Sequence, residues 1–285
     1  MIDLKSWVES QSSFPECLRP EDIEHSRRQR LTYLESGQTP TVVQSEDGFL
    51  AWDTSALERD TQRPLALLWA SQGEVDTLLE QSKREFNELP LVASAFFSQG
   101  DWCETLLRYG FYPLRSFVSK PMSRQSVSYP FTIRLGKESD RSFLTALAVT
   151  VASHTLPPHR KSELSAYNRI LTQSLLKLDY SKSSEHRLYI AEDQGRQRVG
   201  YLLLRLDDRK TAWVVDIGVQ KSHWGQGVAQ FLVLTAENHL IEEGFEFYVG
   251  EISASNERSF YVATKLCSFQ PNRQLWRFDN ETAVC

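Results

Sequence analysis

The second half of the chain alternates between short apolar runs and amphipathic stretches. Apolar, β-branched runs predict strands at residues 131–135, 187–191, 199–204, 212–219 and 245–252. Apolar positions at helical spacing predict helices at residues 141–151, 162–178, 230–243 and 256–267. Gly244 follows the third helix and predicts a left-handed C-cap. With a last strand ending near residue 280, the predicted order is β-α-α-β-β-β-α-β-α-β.

The first half carries a shorter set of the same signals. It predicts strands at residues 64–70 and 91–97 and helices at residues 74–86 and 102–109. The polar segment at residues 123–130, which ends in Pro130, predicts a linker. A length of 285 residues is typical of two domains. We therefore predict domains at residues 1–122 and 131–285.

Composition narrows the class of protein. Apolar residues make up 41% and charged residues 24% of the chain, as in an ordinary globular protein, and the net charge of −5 argues against a general nucleic-acid or membrane-surface binder. The four cysteines are scattered without metal-site spacing, so no metal is expected. No signal-peptide core opens the sequence, and no apolar run approaches the roughly 20 residues of a membrane span. We expect a soluble cytoplasmic protein, either a monomer or a homodimer.

A glycine-containing loop joins the strand at 212–219 to the helix at 230–243. Unpaired backbone N–H groups and the positive end of the helix dipole meet at such a point and favour phosphate. Two familiar phosphate loops do not fit. Gly227 is followed by Val228-Ala229 rather than Lys-Ser/Thr, and Gln230 stands where a dinucleotide-binding loop needs a third glycine.

The segment Trp224-Gly225-Gln226-Gly227-Val228-Ala229 instead resembles the acyl-CoA loop of the GNAT superfamily (Gcn5-related N-acetyltransferases), written Gln/Arg-x-x-Gly-x-Gly/Ala. Trp224 replaces the usual first residue, which raises the question of how the first turn is held. A second GNAT motif follows, because the stretch from Asn256 is similar to Asn-x-x-Ser/Ala with its helix. Ala263 stands where many family members carry a tyrosine general acid.

The resemblance implies an α+β fold with a mostly antiparallel central sheet flanked by helices, and acetyl-CoA as acyl donor. Backbone N–H groups of the loop would hold the pyrophosphate, and the edge of the preceding strand would pair with pantetheine. The predicted cofactor-binding residues are Ile217, Gly218, Val219, Trp224, Gly225, Gln226, Gly227, Val228, Ala229 and Asn256.

Three residues are candidates for proton transfer. Asp216 lies in an otherwise apolar strand beside the expected thioester and is the first candidate for the base. Glu251 holds a comparable place on the next strand, and Tyr261 is a candidate to protonate the leaving thiolate. The alternative stays open that both carboxylates are solvated or salt-bridged and that the tyrosine is an ordinary aromatic residue.

The resemblance implies an N-acetyltransferase acting on a primary amine of a small molecule, such as an amino sugar, or of a peptide N-terminus. Two histidines and an arginine at residues 153–160 either engage an acidic acceptor or form an ordinary polar loop. The alternative function is a non-catalytic acyl-CoA sensor or scaffold.

A repeated pattern suggests two copies of the fold. Phe-x-Pro-x-Arg occurs at residues 111–115 and again at 269–273. We interpret residues 1–122 as a degenerate GNAT-like domain without the CoA loop, because Ser71-Gln72-Gly73 is too short to form one. Chance similarity of a short motif is the alternative.

Overall fold

The computed structural model describes residues 3–11, 22–57, 62–73, 75–96, 98–179 and 185–280. These residues fall into two compact units. The first unit takes in residues 1–114 and 272–285, and the second unit takes in residues 115–271.

Helices and strands alternate through both units. Up to residue 108 they are α1 Leu4–Ser10, α2 Asp22–Glu35, β1 Thr41–Gln44, β2 Gly48–Asp53, β3 Ala66–Gly73, α3 Asp76–Glu85, β4 Leu91–Phe96 and α4 Gly100–Arg108. The others are β5 Tyr112–Pro121, β6 Thr132–Leu135, α5 Arg141–Val151, α6 Leu164–Lys177, β7 His186–Glu192, β8 Arg198–Leu206, β9 Thr211–Val219, α7 Val228–Glu242, β10 Phe247–Ser253, α8 Glu257–Tyr261 and β11 Gln270–Phe278.

Each unit contains a mostly antiparallel set of strands. In the second unit the strand order is β5-β10-β9-β8-β7-β6, and only β9 and β10 are parallel. In the first unit the order is β1-β2-β3-β4-β11, and only β3 and β4 are parallel. Each parallel pair is joined by a helix, as a parallel connection requires. The predicted α+β class with a mostly antiparallel sheet is confirmed.

Helices cover both faces of the strands in the second unit. On β8, Leu202 and Leu204 pack with α7, whereas Tyr201 and Leu203 pack with α5 and α6. This division follows the two-residue repeat of a strand, in which successive side chains point to opposite faces. It explains why β8 is apolar along most of its length.

Most predicted elements of the second half agree with the observed ones to within about three residues, which is ordinary for element ends. Gly244 has φ +87°, and the Phe245 N–H donates to the Leu240 carbonyl oxygen at 2.9 Å, so the expected C-cap is present. The predicted helix at 256–267 is present as α8 and continues beyond Tyr261 as a π-helical turn at Val262–Leu266. The predicted helix at 162–178 begins at Leu164, after a 3₁₀ turn at Pro158–Glu163.

The predicted elements of the first half correspond to β3, α3, β4 and α4. Two of their predicted positions, Glu74 and Phe97, lie outside the described residues. The helices α1 and α2 and the strands β1, β2 and β5 were not predicted from the sequence.

The compact units differ from the predicted domains at their last strands. Residues 115–121 of β5 belong to the second unit, where they pair with β10. Residues 272–278 of β11 belong to the first unit, where they pair with β4. The division into domains at 1–122 and 131–285 therefore stays a prediction about two copies of a fold.

The predicted linker at residues 123–130 lies along α7. The Ser123 N–H donates to Glu237 at 2.9 Å, and Gln125 exchanges two backbone-to-amide hydrogen bonds with Asn238, both of 2.9 Å. Near the other end the Tyr129 hydroxyl donates to Gln230 at 2.6 Å. Backbone groups of Ser123 and Gln125 and the side chain of Tyr129 thus bind this segment to side chains of the helix that begins at the glycine loop.

The longest helix in the second unit, α7, has 15 residues. None of the helices in the described ranges combines the length and apolarity needed to cross a membrane. Within the same ranges, no group of three or more His, Cys, Asp or Glu side chains is placed to hold a metal ion.

Candidate active site

The two parallel strands of the second unit separate beyond a β-bulge. Residues 211–214 of β9 pair with residues 247–250 of β10, and the described residues show no further pairing between these strands. On its other edge β9 pairs with β8, where Asp216 faces Leu203 and Val214 faces Leu204, so Val215 is the extra residue of a bulge. The last residues of β9 therefore present an open edge toward β10.

The alternation of hydrogen-bonded positions along β9 determines which of its backbone N–H and C=O groups face this opening. The Gln220 N–H donates to the Val199 carbonyl oxygen at 2.8 Å. Because antiparallel pairs alternate, the backbone groups of Ile217 and Val219 must point away from β8, whereas those of Gly218 point toward it. Two of the three predicted edge residues thus supply polar groups at the opening.

The glycine loop follows directly after this edge. Gly225 and Gly227 have φ angles of +79° and +82°, values that favour glycine. Gly227 is the N-cap of α7 and provides no side-chain cap. In the described part of the chain, the N–H groups of Gly225, Gly227, Val228 and Ala229 have no acceptor. These N–H groups and the dipole of α7 create a region of positive potential that favours phosphate.

The side chain of Trp224 holds the first turn of the loop. Its Nε1–H donates to the Val219 carbonyl oxygen at 2.8 Å. The His154 ring meets the indole edge-on with 5.6 Å between centroids, and the Arg258 guanidinium lies 4.4 Å from the indole centroid. Trp224 thus brings together the glycine loop, the polar region at 153–160 and the second motif.

Asp216 lies at the open edge, immediately after the bulge, and is half-buried. The Tyr201 hydroxyl donates to its Oδ2 at 2.5 Å, and the Ile217 N–H donates to its Oδ1 at 2.9 Å. Both oxygens of the carboxylate are therefore held by hydrogen bonds, one from β8 and one from β9 itself.

The other predicted catalytic residues have different surroundings. Glu251 forms an ion pair with Arg115, with 2.9 Å between Glu251 Oε1 and Arg115 Nη1, and the Glu251 side chain is only 16% exposed. Tyr261 is 58% exposed on α8. Asn256 caps α8, because its Oδ1 accepts the Ser259 N–H at 3.1 Å. Glu251 is salt-bridged, as the alternative for this carboxylate had it, and Asn256 acts as a helix cap. The catalytic role of Glu251 and the cofactor-binding role of Asn256 stay predictions.

In the polar region at 153–160, Arg160 is buried and its NH2 lies 2.5 Å from Glu163 Oε2. This internal ion pair argues against Arg160 as a group that engages an acidic acceptor. His154, which contacts Trp224, is the residue of this region placed at the loop.

Sequence reasoning missed two tyrosines at the site. Tyr201 looks like an ordinary strand residue in the sequence, and only the structure shows its bond to Asp216. Tyr129 lies in the predicted linker, and a Cβ added at Gly227 would come within 2.8 Å of its ring. An aromatic residue within an otherwise polar segment was the one available signal for Tyr129.

A buried ion pair supports α7 behind the loop. Lys120 Nζ lies 2.6 Å from Glu237 Oε2 and donates to the Cys267 carbonyl oxygen at 2.9 Å. Burial raises the pKa of the neighbouring Cys267 thiol to about 12, so this thiol stays protonated near neutral pH. Burial likewise raises the pKa of Tyr248 on β10 well above its usual value. These groups form the structural support of the site.

Part of the chain resembles a known family of acetyltransferases. Residues 151–269 match the model of the "Acetyltransferase (GNAT) family". No curated protein matches the chain in sequence.

Among solved structures, a GCN5-related N-acetyltransferase from Kribbella flavida is similar at a TM-score of 0.51 and 10% identity, over 89% of this chain and 94% of that one. A GNAT-family acetyltransferase from Colwellia psychrerythraea is similar at 0.52 and 14% identity, over 84% of this chain and 83% of that one. A functionally unknown conserved protein from Staphylococcus epidermidis ATCC 12228 is similar at 0.52 and 12% identity, over 85% of this chain and 94% of that one. At such identities these likenesses show the fold alone, and they agree with the predicted GNAT fold.

Proposed function

We propose that this chain, whose residues 151–269 match the model of the acetyltransferase (GNAT) family, transfers an acetyl group from acetyl-CoA to a primary amine. The family match supports acyl transfer in general. The observation that carries the proposal is the continuity of two features, since the open edge of β9 leads directly into a loop with unpartnered N–H groups in the described part of the chain. A pantetheine arm and its diphosphate need such a pair of adjoining surfaces.

The residues present fit coenzyme A. The N–H groups of Gly225, Gly227, Val228 and Ala229 would bind the pyrophosphate, and the open space beside Gly225 leaves room for it. The carbonyl oxygen of Ile217 and the N–H of Val219 would pair with the pantetheine amides. Arg258 stacks on Trp224 beside the loop and would add a positive charge there.

Coenzyme A supplies the thioester that activates the acetyl group. The Ile217 N–H would donate to the thioester oxygen as negative charge develops on it. Asp216 would accept the proton that the amine nitrogen loses as its bond to the acetyl carbon forms and the carbon–sulfur bond breaks. Tyr261, an exposed residue of α8, would return a proton to the departing sulfur. Holding both reactants in one orientation would provide much of the acceleration.

The variant Asp216→Asn tests this assignment. We expect turnover to fall by about 10²- to 10⁴-fold, because the amide cannot take the proton, while affinity for coenzyme A is retained. Thiol release across a panel of primary amines, including amino sugars and peptide N-termini, measures turnover, and calorimetry measures affinity. Glu242→Gln changes an exposed carboxylate on α7 and serves as the matched control. Full activity of Asp216→Asn would exclude Asp216 as the base.

A second candidate is an acyl-CoA-binding sensor without efficient chemistry. Ala263 at the usual tyrosine position and the ion pair that engages Glu251 favour it. The same two measurements separate the candidates. Acetyl-CoA binding without thiol release for any amine of the panel would favour the sensor, and the absence of binding would remove both.

We also propose that the first unit is a degenerate copy of the fold. Its order β3-α3-β4-α4 repeats the order β9-α7-β10-α8 of the second unit. Only two residues separate Gly73 from Asp76, where α3 begins, and Asp76 adds a negative charge in the first turn. This link provides no room for a phosphate loop. We therefore expect calorimetry to give one acetyl-CoA per chain, and a stoichiometry of two would contradict the degenerate copy.

A further inference from the structure

We infer that Tyr201 is a positioning residue that holds the Asp216 carboxylate against the Ile217 amide, the donor that the thioester oxygen would use. The inference rests on the proposed function. It gives Tyr201 and Asp216 a role in distinguishing an acyl-CoA from free coenzyme A.

Tyr201 is placed for this role by packing. It is fully buried among the residues that face α5 and α6. Its ring lies over Gly218, its partner across the β8–β9 ladder, and a Cβ at Gly218 would come within 2.5 Å of the ring. The glycine is therefore what allows the tyrosine hydroxyl to reach across β9 to Asp216 Oδ2 at 2.5 Å.

The carboxylate held in this way meets the open edge of β9. Its Oδ1 accepts the Ile217 N–H at 2.9 Å. This N–H points away from β8, since Ile217 lies between the hydrogen-bonded positions of the ladder. A single N–H cannot make a full hydrogen bond to both the carboxylate and a thioester oxygen, so the two acceptors compete.

The competition affects only ligands that carry the acyl carbonyl. Free coenzyme A ends in a thiol and makes no demand on the Ile217 N–H. An acyl-CoA must displace Asp216 Oδ1 from it, which costs affinity and leaves that oxygen free to receive a proton from the acceptor amine. Binding of the thioester oxygen to the Ile217 N–H would thus release Asp216 Oδ1 to act as the base.

The experiment compares the affinities of acetyl-CoA and coenzyme A by calorimetry on the full chain. Asp216→Ala removes the competing acceptor, so the ratio of the acetyl-CoA affinity to the coenzyme A affinity should rise about two- to tenfold, the usual worth of one hydrogen bond. Tyr201→Phe removes the hydrogen bond from the tyrosine to the Asp216 carboxylate and should raise this affinity ratio by a smaller factor. The double variant Tyr201→Phe/Asp216→Ala, which leaves no buried hydroxyl without its acceptor, should match Asp216→Ala.

Tyr189→Phe is the matched control. Tyr189 on β7 is equally buried, but its hydroxyl has no hydrogen-bond partner among the described residues. Its removal should leave the ratio unchanged. If both ligands bind and the ratio stays at the parent value in Asp216→Ala and in the double variant, the inference is wrong while the proposed function stands. If the parent chain binds neither ligand, the proposed function fails and the inference fails with it.

Discussion

Replacing Gly225 with aspartate is expected to weaken coenzyme A binding about a hundredfold more than replacing it with asparagine. A carboxylate about 5 Å from a phosphate charge is repelled by about 3 kcal/mol at an effective dielectric constant of 20, which corresponds to that factor. Asparagine has the same size and the same tolerance of positive φ, so the comparison isolates the charge. Calorimetry on Gly225→Asp and Gly225→Asn measures the difference.

Gly225 is a better probe than Gly227. A Cβ at Gly225 meets nothing within 4 Å, whereas a Cβ at Gly227 would press on the Tyr129 ring at 2.8 Å. A loss of binding at Gly227 would therefore mix a displaced tyrosine with a blocked phosphate. Equal affinities of the two Gly225 variants would contradict the phosphate assignment. A difference that shrinks as salt is added would support it, since ions screen exposed charges.

The sequence predicted the parts of this site that local chemistry determines. A left-handed backbone position favours glycine, so Gly225, Gly227 and Gly244 could be predicted from the sequence as loop and cap positions. A helix N-terminus needs an acceptor, and Asn256 supplies it. These signals act within a few residues of the chain. The fold class was predicted from the resemblance of the glycine loop and the second motif to the GNAT superfamily.

Contacts between distant segments could not be predicted in this way. Arg115 and Glu251 form an ion pair across 136 positions, and no local pattern distinguishes that pair from two solvated residues. Tyr201 reaches Asp216 only because β8 and β9 align in a register that places Gly218 under its ring. The polar composition of residues 123–130 is compatible with an exposed linker and equally with the hydrogen-bonded segment that the structure contains.

Which strands belong to each unit also depends on contacts between segments that are distant in the sequence. A strand is predicted near β11 but not at β5, and the local sequence does not specify the neighbours with which either strand pairs. Pairing depends on side chains from remote segments, and for β5 these include the buried contact between Lys120 and Glu237 on α7. The contribution of that contact to the free energy of unfolding is large enough to measure.

Breaking the Lys120–Glu237 pair is expected to destabilise the second unit by about 3–5 kcal/mol, because either single change leaves a buried charge without its partner. The exposed fractions of the two side chains are 5% and 0%. Lys120→Met and Glu237→Leu should each show this loss. The double variant should recover part of it, since an apolar pair of similar volume carries no charge into the interior, whereas the hydrogen bonds to the Cys267 carbonyl and from the Ser123 N–H stay lost.

Cys267 provides a local measurement, because its thiol is buried beside the pair and reacts only when this region opens. Native-state labelling at Cys267, followed by peptide mapping, should accelerate by about a hundredfold or more in each single variant. The double variant should return toward the parent rate. Glu242→Gln, which breaks the exposed ion pair with Arg124, is the matched control and should have little effect. Parent-like labelling in both single variants would mean that α7 is anchored by its apolar face alone, and that the loop at its N-terminus does not depend on the buried charges.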